Sequence, residues 1–392
     1  MSNAEISAKD RTKLIKTVFE EIFEYDNFLG LVGNEDKYYI KSSDSEDYDS
    51  DSIFPRDEKD ASMIVHIDSL IHFAMSSKAA FESFVKFIQG NMFVRFRKND
   101  VYFHCNKRAI CPGSEEDGLI DKFFKFARKV TFYKMACKNT PKKVDAFVKT
   151  MNSFVDLRHI DMSEIHGVPD LALGHLSDAF VNLTDFDVQS DTLVKILKKK
   201  TTSFPKLKRL KITGYNAEIK EVVAPAARFP RLTDVDISPS WPRSWVDHNE
   251  SKDLSFSDNA FPTVKNLKIN FEENVDDGFV PADFELVVNW LKKFPSATKA
   301  KVSMKRYVDT YPPGGPERYI ELHKAFKTTD FGVPLELIFY VDGRLGWPQD
   351  EDYEEQYSCF RCVDNHRYHE VVYKDTLPGK KFSHTMKLKL DD

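Results

Sequence analysis

The sequence predicts an α/β solenoid, a parallel curved sheet with helices on its convex side. Three observations predict it. A nine-residue pattern, Phe-x-x-Φ-x-x-Φ-x-Φ with Φ mostly aliphatic, recurs along the chain; it recurs at short, similar steps; and amphipathic helical patterns lie between copies. The copies are FPKLKRLKI at Phe204–Ile212, FPRLTDVDI at Phe229–Ile237, FPTVKNLKI at Phe261–Ile269 and FPSATKAKV at Phe294–Val302. Two looser copies precede them, FVDLRHIDM at Phe154–Met162 and FVNLTDFDV at Phe180–Val188. Start-to-start steps are 26, 24, 25, 32 and 33 residues. Self-similarity at such a period is the signature of a solenoid, and Φ-x-x-Φ-x-Φ at that period is the leucine-rich-repeat pattern. A doubly wound α/β sandwich is the alternative, but it needs no repeated Phe-Pro at each junction.

Within a copy, Leu210 and Ile212 are two apart and share one face of a strand. Leu207 turns the chain into that strand, Phe204 fills the core beneath it, and Pro205 ends the preceding helix. Between copies, Val144, Phe147, Val148 and Met151 are spaced i, i+3, i+4, i+7, as are Phe284, Val287, Val288 and Leu291. Leu193, Val194, Ile196 and Leu197 form a further apolar stripe. Each marks a helix with one buried side. A strand–helix unit of about 25 residues cannot bury its own apolar face, so neighbours must stack. The two longest steps carry extra residues after Ile237 and after Ile269, NFEENVDDGFVPAD in the second case, which read as polar loops.

In chain order, residues 1–41 hold a helix with a narrow apolar face, Leu14, Ile15, Val18, Phe19, Ile22 and Phe23. Residues 42–60 begin with SSDSEDYDSDS, which is too acidic and too poor in large aliphatics to join a core and reads as a disordered linker. Residues 61–117 hold two helical patterns, then Phe93–Arg97 and Val101–Cys105 flanking Lys98-Asn-Asp as a β-hairpin. Residues 118–342 are the solenoid. Its first repeat is read from Val130, Tyr133 and Met135, starting near Ala127, and its last strand is Pro334–Val341. Residues 343–392 are an acidic loop and a C-terminal cap with strand-like segments from His369 and from His384, since a solenoid must cover its last apolar face.

The chain has 392 residues, 41% hydrophobic and 30% charged, which suits a globular protein with a large core. Its formal net charge of −5 points to neither nucleic acid nor an anionic membrane as partner. Met1–Asp10 has no apolar signal core, no apolar run is long enough to span a bilayer, and five cysteines at irregular spacing fit a reducing compartment. The expected location is the cytoplasm or nucleus. No Gly-rich phosphate loop, Gly-x-Ser-x-Gly or His-Glu-x-x-His occurs, so no enzyme and no cofactor is expected. Cys359, Cys362, His366 and His369 are zinc-ligand types, but only three residues separate the two pairs. A hairpin is the first reading of that segment and a small zinc site the alternative.

The expected binding surface is the concave face, where residues between core positions project. These are His159 and Asp161, Asp185 and Asp187, Arg209 and Lys211, Asp234 and Asp236, Asn266 and Lys268, and Lys299 and Lys301. Asp187 and Asp236 flank Lys211 and partly neutralise it. Lys299 and Lys301 have fewer opposite neighbours and would suit an acidic protein partner. Trp241 and Trp245, in the loop SPSWPRSW, are further candidates, because Trp is enriched at interface hot spots.

One segment carries a resemblance. IDSLIHFAMSSKAAFESFVKFI, with Ser76-Ser77-Lys78 and Phe84-Val85-Lys86, resembles the second half of the F-box of large nematode families. Of that F-box's opening Phe-Pro-Leu-Leu and Leu-Pro pair, Phe54-Pro55 alone is present. The resemblance covers about 40 of the 392 residues. It implies a Skp-type adaptor bound at 61–90 and a substrate receptor of a Skp–cullin type ubiquitin ligase. A scaffold or inhibitor with no ubiquitin role is the other expectation.

Overall fold

The structure is a computed structural model. It describes residues 74–97, 100–105, 108–110, 123, 125–133, 135–136, 149, 151–166, 173, 177–198, 202–215, 228–240, 261–274, 278–308, 316–344, 361–365 and 368–389. The 1–41 helix, the 42–60 linker, Trp241, Trp245, Cys359 and His366 lie outside them, as do the 144–148 helical positions and most of the acidic loop. The chain is α/β and forms two compact units, Met1–His166 and Gly167–Asp392. This division differs from a boundary at 117/118, because the hairpin residues pair directly with the Val130 strand.

In the first unit, helix α1 (Lys78–Asn91) is capped by Ser77, whose Oγ accepts the Ala80 N–H at 3.1 Å. It runs into β1 (Met92–Arg97), which forms an antiparallel hairpin with β2 (Asp100–Cys105), and β3 (Arg108–Ile110) adds to β2. On its other side β1 pairs in parallel with β4 (Lys129–Tyr133), and β4 pairs in parallel with β6 (His159–Met162). The short β5 (Met135–Ala136) and β7 (Ile165–His166) pair with each other.

The register corrects the first repeat. Val130 stands opposite Ile160, so Val130 occupies the first strand Φ and Phe132 the second; both are buried, as is Ala127. The copy is therefore residues 124–132, one turn of pattern earlier than the Tyr133–Met135 reading. Ala127 is small, and FKFARKVTFYKM offers overlapping apolar frames.

The second unit contains α2 (Ser177–Phe180), β8 (Asp185–Gln189), α3 (Ser190–Lys198), β9 (Arg209–Tyr215), β10 (Asp234–Ser240), β11 (Asn266–Asn274), α4 (Ala282–Lys292), β12 (Lys299–Val308), α5 (Pro316–Thr328), β13 (Leu335–Arg344), β14 (Arg361–Asn365), β15 (Tyr368–Leu377) and β16 (Lys380–Lys389). Strands β8 to β13 are neighbours in chain order and parallel. β16 then pairs in parallel with β13, and β15 and β14 follow antiparallel, so the tail extends the sheet.

Each repeat is fixed by three devices. First, the Phe carbonyl accepts the N–H three residues on: Leu183 to Phe180, Leu207 to Phe204, Leu232 to Phe229, Val264 to Phe261 and Ala297 to Phe294. Pro205, Pro230, Pro262 and Pro295 take the second place of these turns, where a fixed φ is favourable. Second, one carbonyl at each strand start accepts two N–H groups from the next copy. Thr184 serves Lys208 and Arg209, Lys208 serves Thr233 and Asp234, Thr233 serves Lys265 and Asn266, and Lys265 serves Thr298 and Lys299. Third, the repeat phenylalanines form a continuous buried ladder: Phe180–Phe204 at 5.4 Å, Phe204–Phe229 at 5.2 Å, Phe229–Phe261 at 6.1 Å and Phe261–Phe294 at 6.2 Å.

One face of the sheet is apolar, and the described helices pack on it. α3 packs on β8 and β9; Phe284 of α4 meets Phe339 of β13 and Phe382 of β16; and Phe326 of α5 meets Phe382. Leu193, Val194, Ile196 and Leu197 are buried as their spacing predicts, and so are Phe284, Val287 and Leu291, joined by Trp290. The extra residues after Ile269 are not a polar loop throughout. Phe271 and Glu273 continue β11 as buried residues, and Phe279 and Asp283 are buried beyond it.

Candidate functional site

The opposite face of the same sheet is not covered by any helix among the described residues, and strand alternation puts the charged repeat residues on it, most of them exposed or half-buried. β12 reads exposed or half-buried at Lys299, Lys301, Ser303, Lys305 and Tyr307, and buried at Ala300, Val302, Met304, Arg306 and Val308. Parallel registry aligns equivalent residues across strands: Asp185, Arg209, Asp234, Asn266 and Lys299 in one row, and Asp187, Lys211, Asp236, Lys268, Lys301 and Glu336 in the next.

Most pairs join straight neighbours of a row, and Arg209 also reaches diagonally into the next row. Arg209 takes both carboxylates of β8, Asp185 at 3.7 Å and the buried Asp187 at 3.4 Å. Asp236 binds Lys268 at 3.2 Å and the Asn270 amide at 2.9 Å. Asp234 accepts from the Asn266 amide at 2.7 Å and from the Thr233 hydroxyl. Lys211 stands between Asp187 and Asp236 in registry, yet among the described residues it forms no ion pair, because Arg209 and Lys268 have taken those carboxylates.

Lys301 also departs from expectation. Its Nζ lies 2.8 Å from Glu336 Oε1, a carboxylate supplied by β13. Lys299 is exposed and forms no ion pair among the described residues. Asp161, on β6 of the first unit, is held by its own turn, accepting the Ser163 N–H at 3.1 Å and hydroxyl at 2.6 Å. His159 is half-buried on that strand. Further along the second unit's sheet, Lys305 lies over the Tyr307 ring at 4.3 Å and the Tyr340 ring at 5.2 Å, with Asp342 at 3.8 Å. Burial opposes its charge, but Tyr307, Asp342 and Glu272 outweigh that and raise its pKa.

The sequence reading missed a buried polar cluster on the covered side. Arg306 binds Glu273 through Nε, Asp283 at 2.8 and 3.0 Å, and the Gly278 carbonyl at 2.6 Å, with its guanidinium 4.5 Å from the Phe279 ring centre. Asp283 also accepts the Val280 N–H at 2.7 Å and so pins the entry to α4. Nearby, His323 of α5 and His384 of β16 face each other at 3.2 Å, and Tyr373 stacks on His323 at 3.6 Å. No period announces such a cluster; a charged residue at an inward strand position, Arg306, was the one available signal.

In the first unit, a pocket of about 350 Å³ opens beside the start of α1, lined by Met75, Phe81, Phe123 and Phe126 with Lys78 and Lys125 at its rim. Met75 is exposed there. Cys362 and His369 lie on β14 and β15, with side chains outside the described residues. Among the described residues no His, Cys, Asp and Glu cluster of metal-binding size occurs, and no helix is long and apolar enough to cross a membrane. No protein-family model matches the chain, and no curated protein matches it in sequence.

Proposed function

We propose that this chain is a non-enzymatic protein-interaction protein of the cytoplasm or nucleus, built on a leucine-rich-repeat-like solenoid whose concave face receives a protein partner. The observation that carries this reading is the two-sided sheet. Copies of one pattern set parallel strands side by side, bury one apolar face, and leave the other as an ordered array of charged and amide side chains. Repeat proteins use such extended faces for extended partners.

For the N-terminal region we propose the role implied by its F-box-like segment, attachment to a Skp-type adaptor, which would make the protein a substrate receptor of a ubiquitin ligase. The open apolar pocket at Met75, Phe81, Phe123 and Phe126 supports it. A second reading, a scaffold whose N-terminal helix caps the repeats, has its own support. Phe84 packs on Phe123 at 5.1 Å, Phe81 packs on Phe126 at 5.7 Å, and β1 pairs with β4, so α1 spends much of its aromatic face within the unit.

The experiment is a direct binding titration of the full chain against a purified Skp-type adaptor. Binding at micromolar concentration, weakened at least about tenfold by Met75→Glu in the exposed pocket wall, is the expected result; about 1.4 kcal/mol corresponds to that factor. No binding at tens of micromolar removes the ubiquitin arm and leaves the scaffold.

A further inference from the structure

The open face and the rim where the chain enters its strands carry cations in different states. On the face, four cations are answered by carboxylates of adjacent strands: Arg209 by Asp185 and Asp187, Lys268 by Asp236, Lys301 by Glu336, and Lys305 by Asp342, while Lys211, which forms no ion pair among the described residues, is half-buried between Asp187 and Asp236. At the rim, Lys206 and Lys208 lead into β9, Arg231 into β10 and Lys265 into β11, while Lys299 opens β12. All five side chains are exposed, and none forms an ion pair among the described residues. The bond from Lys206 goes to a neutral partner, Asn182 Oδ1, at 2.7 Å. The carboxylates nearest in registry, Asp185 and Asp234, are already held by Thr184 and Arg209 and by Thr233 and Asn266.

The repeat explains why these cations share one edge. They occupy the x positions that flank the first Φ of each copy, or the x that follows them, and the double-acceptor carbonyls of Lys208, Thr233 and Lys265 lock those positions side by side. Strands lie about 4.8 Å apart, so β9 to β12 span about 14 Å, the length of roughly four or five extended residues. The ring at the head of each copy, Phe204, Phe229, Phe261 and Phe294, is buried, so these rings offer no platform on which a nucleobase could stack. The chain as a whole is negative, with a formal net charge of −5, which disfavours a polyanion that must lie along much more of its surface.

We propose that this strand-start rim is the docking edge for an acidic segment of the protein partner, an extended run of Asp and Glu laid across β9 to β12. The inference rests on the protein-partner reading above and gives the partner's chemistry and the place it docks. Unpaired exposed cations attract such a segment without first losing an internal carboxylate, as Arg209, Lys268, Lys301 and Lys305 on the face would have to. Because the charges are exposed, the attraction weakens as salt rises.

The test uses the full chain and a short labelled peptide of alternating Asp and Glu, followed by fluorescence anisotropy at about 50 mM and about 500 mM salt, which bracket strong and weak screening. Wild type binds at low salt, and Lys208→Gln/Arg231→Gln/Lys265→Gln weakens binding about tenfold or more, while Lys268→Gln/Lys301→Gln changes it less than about threefold. Melting curves recorded by circular dichroism establish that both variants remain folded. Failure of wild type to bind the peptide, equal binding by the rim variant, or tighter binding of single-stranded DNA of matched length overturns the proposal. If a partner identified for the full chain binds the rim variant and wild type alike, the rim assignment falls while the protein-partner reading stands.

Discussion

Two stretches of the Gly167–Asp392 unit bury different chemistry under the same sheet. From Phe204 to Ile269 the repeat positions are apolar throughout: Phe204, Leu207, Leu210 and Ile212, then Phe229, Leu232, Val235 and Ile237, then Phe261, Val264, Leu267 and Ile269, all buried. From Glu273 onward, the buried set includes Glu273, Asp283, Arg306, His323 and His384. Glu273, Gly278 and Asp283 all lie in the residues that lengthen one repeat step to 33. A lengthened repeat is fastened differently from a regular one. A regular copy needs only its apolar frame, whereas the longer connection is tied down by one guanidinium that collects two carboxylates and a backbone carbonyl.

The largest expected effect breaks that tie. Arg306→Ala leaves Glu273 and Asp283 buried without their counter-charge, which costs about 3–5 kcal/mol. Urea unfolding measures it, and a variant as stable as wild type would mean that the two stretches do not differ in the way described. Leu210→Ala, in the regular stretch, comes next at about 2–5 kcal/mol through lost transfer energy and the cavity left behind. Its cost has no ionic part and should be the same at pH 8 and at about pH 5, because an apolar cavity holds no group that titrates.

The third effect separates the stretches by pH. Burial first, and then Lys327, lower the pKa of His323 from 6.5 to about 4, against an opposing effect of Asp375. Burial, His323 and Arg306 hold His384 well below 6.5. A histidine whose folded pKa lies below its unfolded one lends stability that is complete above 6.5 and is lost as pH falls toward about 4. The 3.2 Å contact has the same sign, since one ring nitrogen must accept while the other donates. Hydrogen exchange should therefore show α5 and β16 losing protection before β9 and β10 as pH drops from about 6.5 to about 4.5. Uniform loss across the unit would put the acid sensitivity elsewhere.

The sequence exposed the periodic half of this design. Each copy repeats an apolar frame, and the sheet registry reproduces the sequence steps: Asp185 faces Arg209, Arg209 faces Asp234, Asp234 faces Asn266, and Asn266 faces Lys299. What lay hidden depends on groups far apart in the chain. Glu336 neutralises Lys301 from 35 residues away, and Arg209 draws Asp187 away from Lys211 by reaching diagonally. Arg306 meets Asp283 across 23 residues, and Asp283 ends a segment whose polar composition reads as loop. Where the frame itself was ambiguous, as at Ala127 and Phe132, pairing partners rather than local composition decided it.

The double-acceptor carbonyls have an evolutionary consequence. They fix where each strand begins by reference to the copy before it, whatever lies between. Lengthening the repeat step from 25 to 32 and 33 residues leaves the registry of β10, β11 and β12 unbroken. The closure entropy of the added residues is only about 0.2–0.3 kcal/mol. Drift can therefore write new sequence and new length into the connections while the strands stay where they are, so that a lineage of such chains could exchange one partner for another without refolding its frame.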